Sequence, residues 1–159
     1  MVGSVAARVL IIANRTAATA ALLEAVHARA RQGPATFHLV VPATPRGLHR
    51  LVDPDAAGQE EASRNLEAAL PQLGAAAGSE VTGWVGDASP LAAITDAIHD
   101  AGFDEIIVST LPTRLSRWTR MDLPRQARDL GLPVTHVEPD AVDACVVEPE
   151  SGRLVLQAQ

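Results

Sequence analysis

A chain of 159 residues with a formal net charge of −6 fits one domain, and the negative balance argues against non-specific attraction to nucleic acid or an anionic membrane. Hydrophobic residues make up 47% but aromatic ones only 3%, so the core must be built from Ala, Val, Leu and Ile, a mixture suited to helices packed closely on a branched-aliphatic sheet. The single Cys145 excludes an intramolecular disulfide and a cysteine-based metal cluster, and with no signal-like start or membrane-length apolar run a cytoplasmic protein is expected.

Arg8-Val-Leu-Ile-Ile-Ala13 is an unbroken, branched apolar run, the pattern of a strand covered on both faces. Asn14-Arg-Thr leads from it into a helix expected over 17–32, with Ala18, Leu22, Ala25 and Val26 on one face and Gly33-Pro34 as its stop. A second strand is expected over 36–41, ending at Pro42, followed by a long turn-rich connection over 43–55. Ala62, Leu66, Ala69, Leu70 and Leu73 then repeat at the helical period, with Pro71 expected to bend or shorten that helix.

Residues 80–85 read as a third strand. After it, Ser89 is a natural N-cap, and Pro90 sits at a first helical position that needs no N–H donor. Leu91, Ile94, Ile98 and Ala101 mark the helical face, Gly102 ends it, and Glu105-Ile-Ile-Val-Ser109 is the fourth strand. The stretch 115–130 is helical in pattern but interrupted near Met121, because Asp122-Leu-Pro124 resembles a cap and first turn. A fifth strand is expected over 132–137, and the tail from Glu138 reads as a hairpin around a Glu-Ser-Gly turn.

Five strands alternating with helices imply an α/β fold: a single-domain, parallel, doubly wound sheet over residues 1–137 with helices on both faces and a C-terminal β-rich tail over 138–159. Ligands of such sheets sit beyond the carboxyl ends of the strands, at the point where the winding reverses. That rule selects Asn14, Arg15, Val41, Gly86, Asp87, Ser109 and Thr110 as candidate ligand-binding residues.

Val85-Gly86-Asp87 before the third helix, the apolar strand Glu105-Ile-Ile-Val108, Leu115-Ser116-Arg117 and Leu132-Pro-Val134 occur in an order that resembles the universal stress proteins over residues 7–137. The resemblance implies the strand order 3-2-1-4-5 and a homodimer, commonly formed through the last strand; since an exposed edge strand invites pairing, the tail hairpin is expected to extend or cap that edge or lie at the dimer interface. Nucleotide-binding members of that family carry a Gly-x-x-Gly pattern after the fourth strand, then nine residues, then Gly followed by Ser or Thr. Here the stretch reads Ser109-Thr-Leu-Pro112 and later Met121-Asp122, with none of the three glycines. Pro112 has no N–H to donate, Met121 adds bulk, and Asp122 would set a carboxylate beside a phosphate. Asn14 stands where the family has a nucleotide-contacting Asp.

The remaining candidates carry two readings each. Arg114, Arg117, Arg120, Arg125 and Arg128 cluster around Trp118, either as guanidinium forks that replace the glycine loop or as a solvated face paired with nearby acids, which is the simpler reading. Asp87 and Ser89 either bind an anion at a helix start or cap it, and capping is favoured. The five histidines lack metal-binding spacing, and no nucleophile elbow or paired carboxylate announces catalysis, so no metal and no catalytic residue is expected. The leading expectation is a non-catalytic, universal stress protein-like module without a cofactor, acting through a homodimer or a protein partner. The alternatives are an ATP- and Mg-binding protein or slow ATPase that uses the arginines, and a nucleic-acid surface on the Arg/Trp segment.

Overall fold

The structure is a computed structural model and describes residues 5–43, 54–111 and 122–139. Its elements run β1 (Ala7–Ile12), α1 (Ala20–Gln32), β2 (Ala35–Pro42), α2 (Pro54–Ala77), β3 (Thr82–Gly86), α3 (Pro90–Ala101), β4 (Glu105–Ser109), α4 (Leu123–Arg128) and β5 (Val134–Val137). The five strands form one sheet in the order β3-β2-β1-β4-β5, and each neighbouring pair is parallel. The doubly wound α/β arrangement expected from the sequence is therefore the one observed. The hairpin expected in the tail falls on residues 140–159, outside the described residues.

β1 is central because it can be covered on both sides. Val9, Leu10, Ile11, Ile12 and Ala13 are all fully buried, and Ile11 lies opposite Leu39 of β2 and Ile107 of β4. Alternation along the strand divides the core in two. Val9, Ile11 and Ala13 pack with Leu22 and Val26 of α1 and Ala62, Ala69 and Leu73 of α2. Leu10 and Ile12 pack on the other face with Ala93, Ile94 and Ala97 of α3 and with Leu123 and Ala127 of α4. Each fully buried Leu or Ile contributes roughly 1.5–3 kcal/mol.

Two helix boundaries differ from the sequence-based expectation. α1 begins at Ala20, three residues late, because Thr19 acts as its N-cap: the Thr19 hydroxyl accepts from Leu22 N at 3.4 Å and donates to Thr16 O at 3.1 Å. The residues before it form a turn instead of a helix, and that turn belongs to the carboxyl edge of the sheet. α2 runs through Pro71 to Ala77. Pro71 and Glu67, the residue four earlier whose carbonyl loses its N–H partner, are both exposed, so water can satisfy that carbonyl and the helix continues.

At α3 the sequence signal holds. Ser89 accepts from Ala92 N at 3.4 Å, Pro90 opens the helix, and Gly102, at φ 69, ends it with its N–H on Ile98 O. Asp122 occupies the position before α4 but does not cap it as expected. Its backbone is left-handed at φ 56, and its carboxylate meets Arg125 at 3.6 Å on the exposed surface, a contact worth about 1 kcal/mol or less.

The carboxyl edge of the sheet as candidate functional site

The last carbonyls of four strands are taken by the chain's own donors. Pro42 O at the end of β2 accepts from Asn14 Nδ2 at 2.9 Å, and Gly86 O at the end of β3 accepts from Ala43 N at 3.2 Å. Ser109 O at the end of β4 accepts from Thr16 Oγ1 at 3.0 Å, and Val137 O at the end of β5 accepts from Thr110 N at 3.0 Å. Buried backbone groups are nearly always paired, and here the donors come from the residues that follow β1, β2 and β4.

Asn14 is the centre of this lacing. Its Nδ2 holds β2 through Pro42 O, and its Oδ1 accepts from Asn65 Nδ2 of α2 at 2.8 Å. One side chain thus ties β1, β2 and α2 together at the carboxyl edge of the sheet. An amide can do this because it carries a donor and an acceptor, whereas a carboxylate has only acceptors. Neither Asn65 nor Thr16 was anticipated from the sequence, since each gains its role from a partner far away along the chain.

The other candidates are distributed along the same edge. Val41 is fully buried, so only its backbone lies at the edge. Gly86 is required by packing, since a Cβ there would lie 2.7 Å from Val40 Cγ1 and 2.9 Å from Ala93 Cβ. Asp87 Oδ1 accepts from Ser89 N at 2.8 Å, which supports the turn before α3. Arg15 is half-buried in the turn after β1. Ser109 and Thr110 are buried, and the Ser109 hydroxyl has no hydrogen-bond partner among the described residues. Arg114, Arg117 and Arg120, with Pro112, Trp118 and Met121, lie outside the described residues, as does Cys145.

Thr110 Oγ1 and His136 Nε2 are 2.7 Å apart, a bond that fastens the end of β4 to β5. Burial pushes the His136 pKa down; Glu138 opposes that shift and Arg128 adds to it. An imidazole whose folded pKa is depressed adds nothing above the unfolded value of about 6.5 and destabilises the fold as pH drops below it. Stability measured by urea unfolding should therefore fall between about pH 7 and pH 5, and His136→Gln should flatten that slope. An unchanged slope would remove His136 from the explanation.

Among the described residues, no group of three His, Cys, Asp or Glu side chains could hold a metal ion, and no helix is long and apolar enough to cross a membrane.

An open parallel sheet wound on both faces, with its reversal point between β1 and β4, defines the class of doubly wound α/β folds. Within that class the chain has the fold of the universal stress proteins. It superposes on the universal stress protein from Archaeoglobus fulgidus with a TM-score of 0.59 at 18% identity, over 85% of this chain and 96% of that one. A universal stress protein in complex with cAMP matches with a TM-score of 0.57 at 17% identity, over 84% and 98%. The Archaeoglobus fulgidus protein in complex with dAMP matches with a TM-score of 0.52 at 18% identity, over 84% and 98%. No family model and no curated protein matches the chain by sequence.

Proposed function

We propose that the chain is a non-catalytic module on the universal stress protein fold that does not take ATP in that family's usual manner and acts by association, with a second copy or a protein partner. The observation that carries this reading is the double commitment of Asn14, to Pro42 O and to Asn65. A nucleotide entering here would have to displace internal hydrogen bonds before gaining its own, and each buried group left unpaired costs about 1–3 kcal/mol. Ser109 adds to this, because it sets a fully buried side chain at the first position of the family's glycine pattern.

A second reading, a nucleotide-binding protein, is favoured by the cAMP and dAMP complexes of proteins with this fold and by the Ser109 hydroxyl, which has no partner among the described residues. Calorimetric titration of the full chain with MgATP, cAMP and dAMP separates the two. The expected result is no saturable heat at ligand concentrations that would reveal a Kd of about 10 μM, roughly −7 kcal/mol of binding free energy. A stoichiometric isotherm at or below that value, lost in Asn14→Ala, would establish the second reading and end the first.

A further inference from the structure

The amino edge of the sheet, opposite the candidate site, holds a cluster that joins three strands. Arg8 of β1 lies over the Phe103 ring, its guanidinium carbon 5.1 Å from the ring centroid, and donates through Nη1 to Ala101 O at the end of α3. Its backbone is clasped as well: Arg8 N donates to the Asp104 carboxylate at 2.8 Å, and Asp104 N donates to Arg8 O at 2.9 Å. The arginine is therefore pinned. His38 of β2 meets the same Phe103 ring edge to face, with centroids 5.5 Å apart and 70° between the planes. Its Nδ1 shares a 2.8 Å hydrogen bond with Thr82 Oγ1, which opens β3. Phe103 belongs to the core beneath α3, so a fixed cation and a titratable ring both rest on one buried side chain.

We propose that His38 is an acid-operated latch on this edge: neutral, it covers Phe103 and ties β2 to β3 through Thr82, and protonated, it turns into solvent and releases both. Arg8 cannot retreat from a second cation without giving up Ala101 O and the Phe103 ring, so the histidine is the group that moves. Its way out is short, because His38 is half-buried and its partner Thr82 is exposed. The other charged groups on the surrounding elements, Glu80 before β3, Asp96, His99 and Asp100 on α3 and Asp104 before β4, are all exposed and leave Arg8 as the charge that acts on the ring. Burial, and after it the Arg8 charge, push the His38 pKa down. With the folded value depressed, the imidazole adds nothing above about pH 6.5, and the latch opens as pH falls below it. β3 is the strand released, since it is hydrogen-bonded to β2 alone.

Amide hydrogen exchange of the full chain between pH 7 and pH 5, corrected for the intrinsic pH dependence of the chemical step, tests this alongside the His38 ring signals in the same samples. Protection of the β3 amides, taken relative to β5, should fall at least about 10-fold with the midpoint of the His38 titration. His38→Asn, whose amide can still reach Thr82 but does not titrate, should make β3 protection independent of pH. Arg8→Gln keeps a donor for Ala101 O without the charge and should move the His38 midpoint up towards about 6.5. His136→Gln should leave the β3 response as it is in the wild type. A wild type whose β3 protection stays flat, a response that survives His38→Asn, a His38 midpoint unmoved in Arg8→Gln, or a β3 response lost in His136→Gln would each overturn the proposal.

Discussion

Asn14→Asp is expected to destabilise the fold by about 2–3 kcal/mol at neutral pH, although it installs the residue that the family resemblance expects there. The wild-type amide donates to Pro42 O at 2.9 Å and accepts from Asn65 at 2.8 Å. A carboxylate keeps the second bond but turns an acceptor oxygen towards the Pro42 carbonyl, with no proton between them. Only the protonated acid can restore the first bond, so the folded state should hold the carboxyl pKa above the unfolded value of about 3.9. The sign follows from linkage. Above the raised folded pKa the deficit is complete; as pH falls it shrinks, and it is smallest below the unfolded value, where both states are protonated. Urea unfolding of wild type and variant, compared at pH 7 and pH 4, should show the difference narrowing on acidification. A deficit independent of pH would mean that the Pro42 contact contributes little.

Gly83→Ala should cost about 1–3 kcal/mol, and Gly83→Val more. A Cβ at this position would lie 2.5 Å from the Leu39 carbonyl oxygen and 2.7 Å from Leu66 Cδ1. Leu66 can rotate away, but the carbonyl is part of the β2 backbone opposite Gly83 and moves only with the strand. The glycine is thus explained by close approach: β3 lies against β2 and under α2 with no room for a methyl group. Gly74, inside α2, provides the contrast, since its Cβ would meet Ser79 O at an ordinary 3.4 Å. Gly74→Ala should be stabilising by about 0.5–1 kcal/mol through its helix propensity. Thermal unfolding of the two variants should move in opposite directions; parallel shifts would refute the steric argument.

The fold was legible because its signals are local and repeated. The run from Val9 to Ala13 announces a strand buried on both faces, the Ala62-Leu66-Ala69-Leu73 spacing announces a helix with one apolar side, and Ser89-Pro90 announces a helix start. Each property belongs to a few neighbouring residues and needs no knowledge of the rest of the chain. Boundaries were less legible where a side chain chose between helix and turn. Thr19 delayed α1 by bonding to Thr16, and α2 continues past Pro71, where Pro71 and Glu67 are both exposed residues.

The candidate site was legible in position but not in its chemistry. Counting strand ends placed Asn14, Gly86, Ser109 and Thr110 on one edge of the sheet, and the structure puts them there. Nothing local to Asn14 reveals that its amide is engaged by Pro42 and Asn65, which lie 28 and 51 residues away. The same holds for Thr16 and Ser109, separated by 93 residues, and for Thr110 and His136, separated by 26. Polar residues at strand ends look alike in sequence whether they await a ligand or hold each other.

In the proposed reading, the polar groups at the carboxyl edge hold one another and leave no place for a nucleotide in the family's manner. The side-chain amides of Asn14 and Asn65 report on this directly, because each donates one N–H to a bond that a bound nucleotide would have to break. In a nitrogen-15 correlation spectrum of the labelled chain, with the two amides assigned through Asn14→Ala and Asn65→Ala, addition of MgATP to about 5 mM should leave both signals in place. Saturable movement of both amides together with the Ser109 and Thr110 backbone signals would contradict the reading and establish the cleft as a nucleotide site.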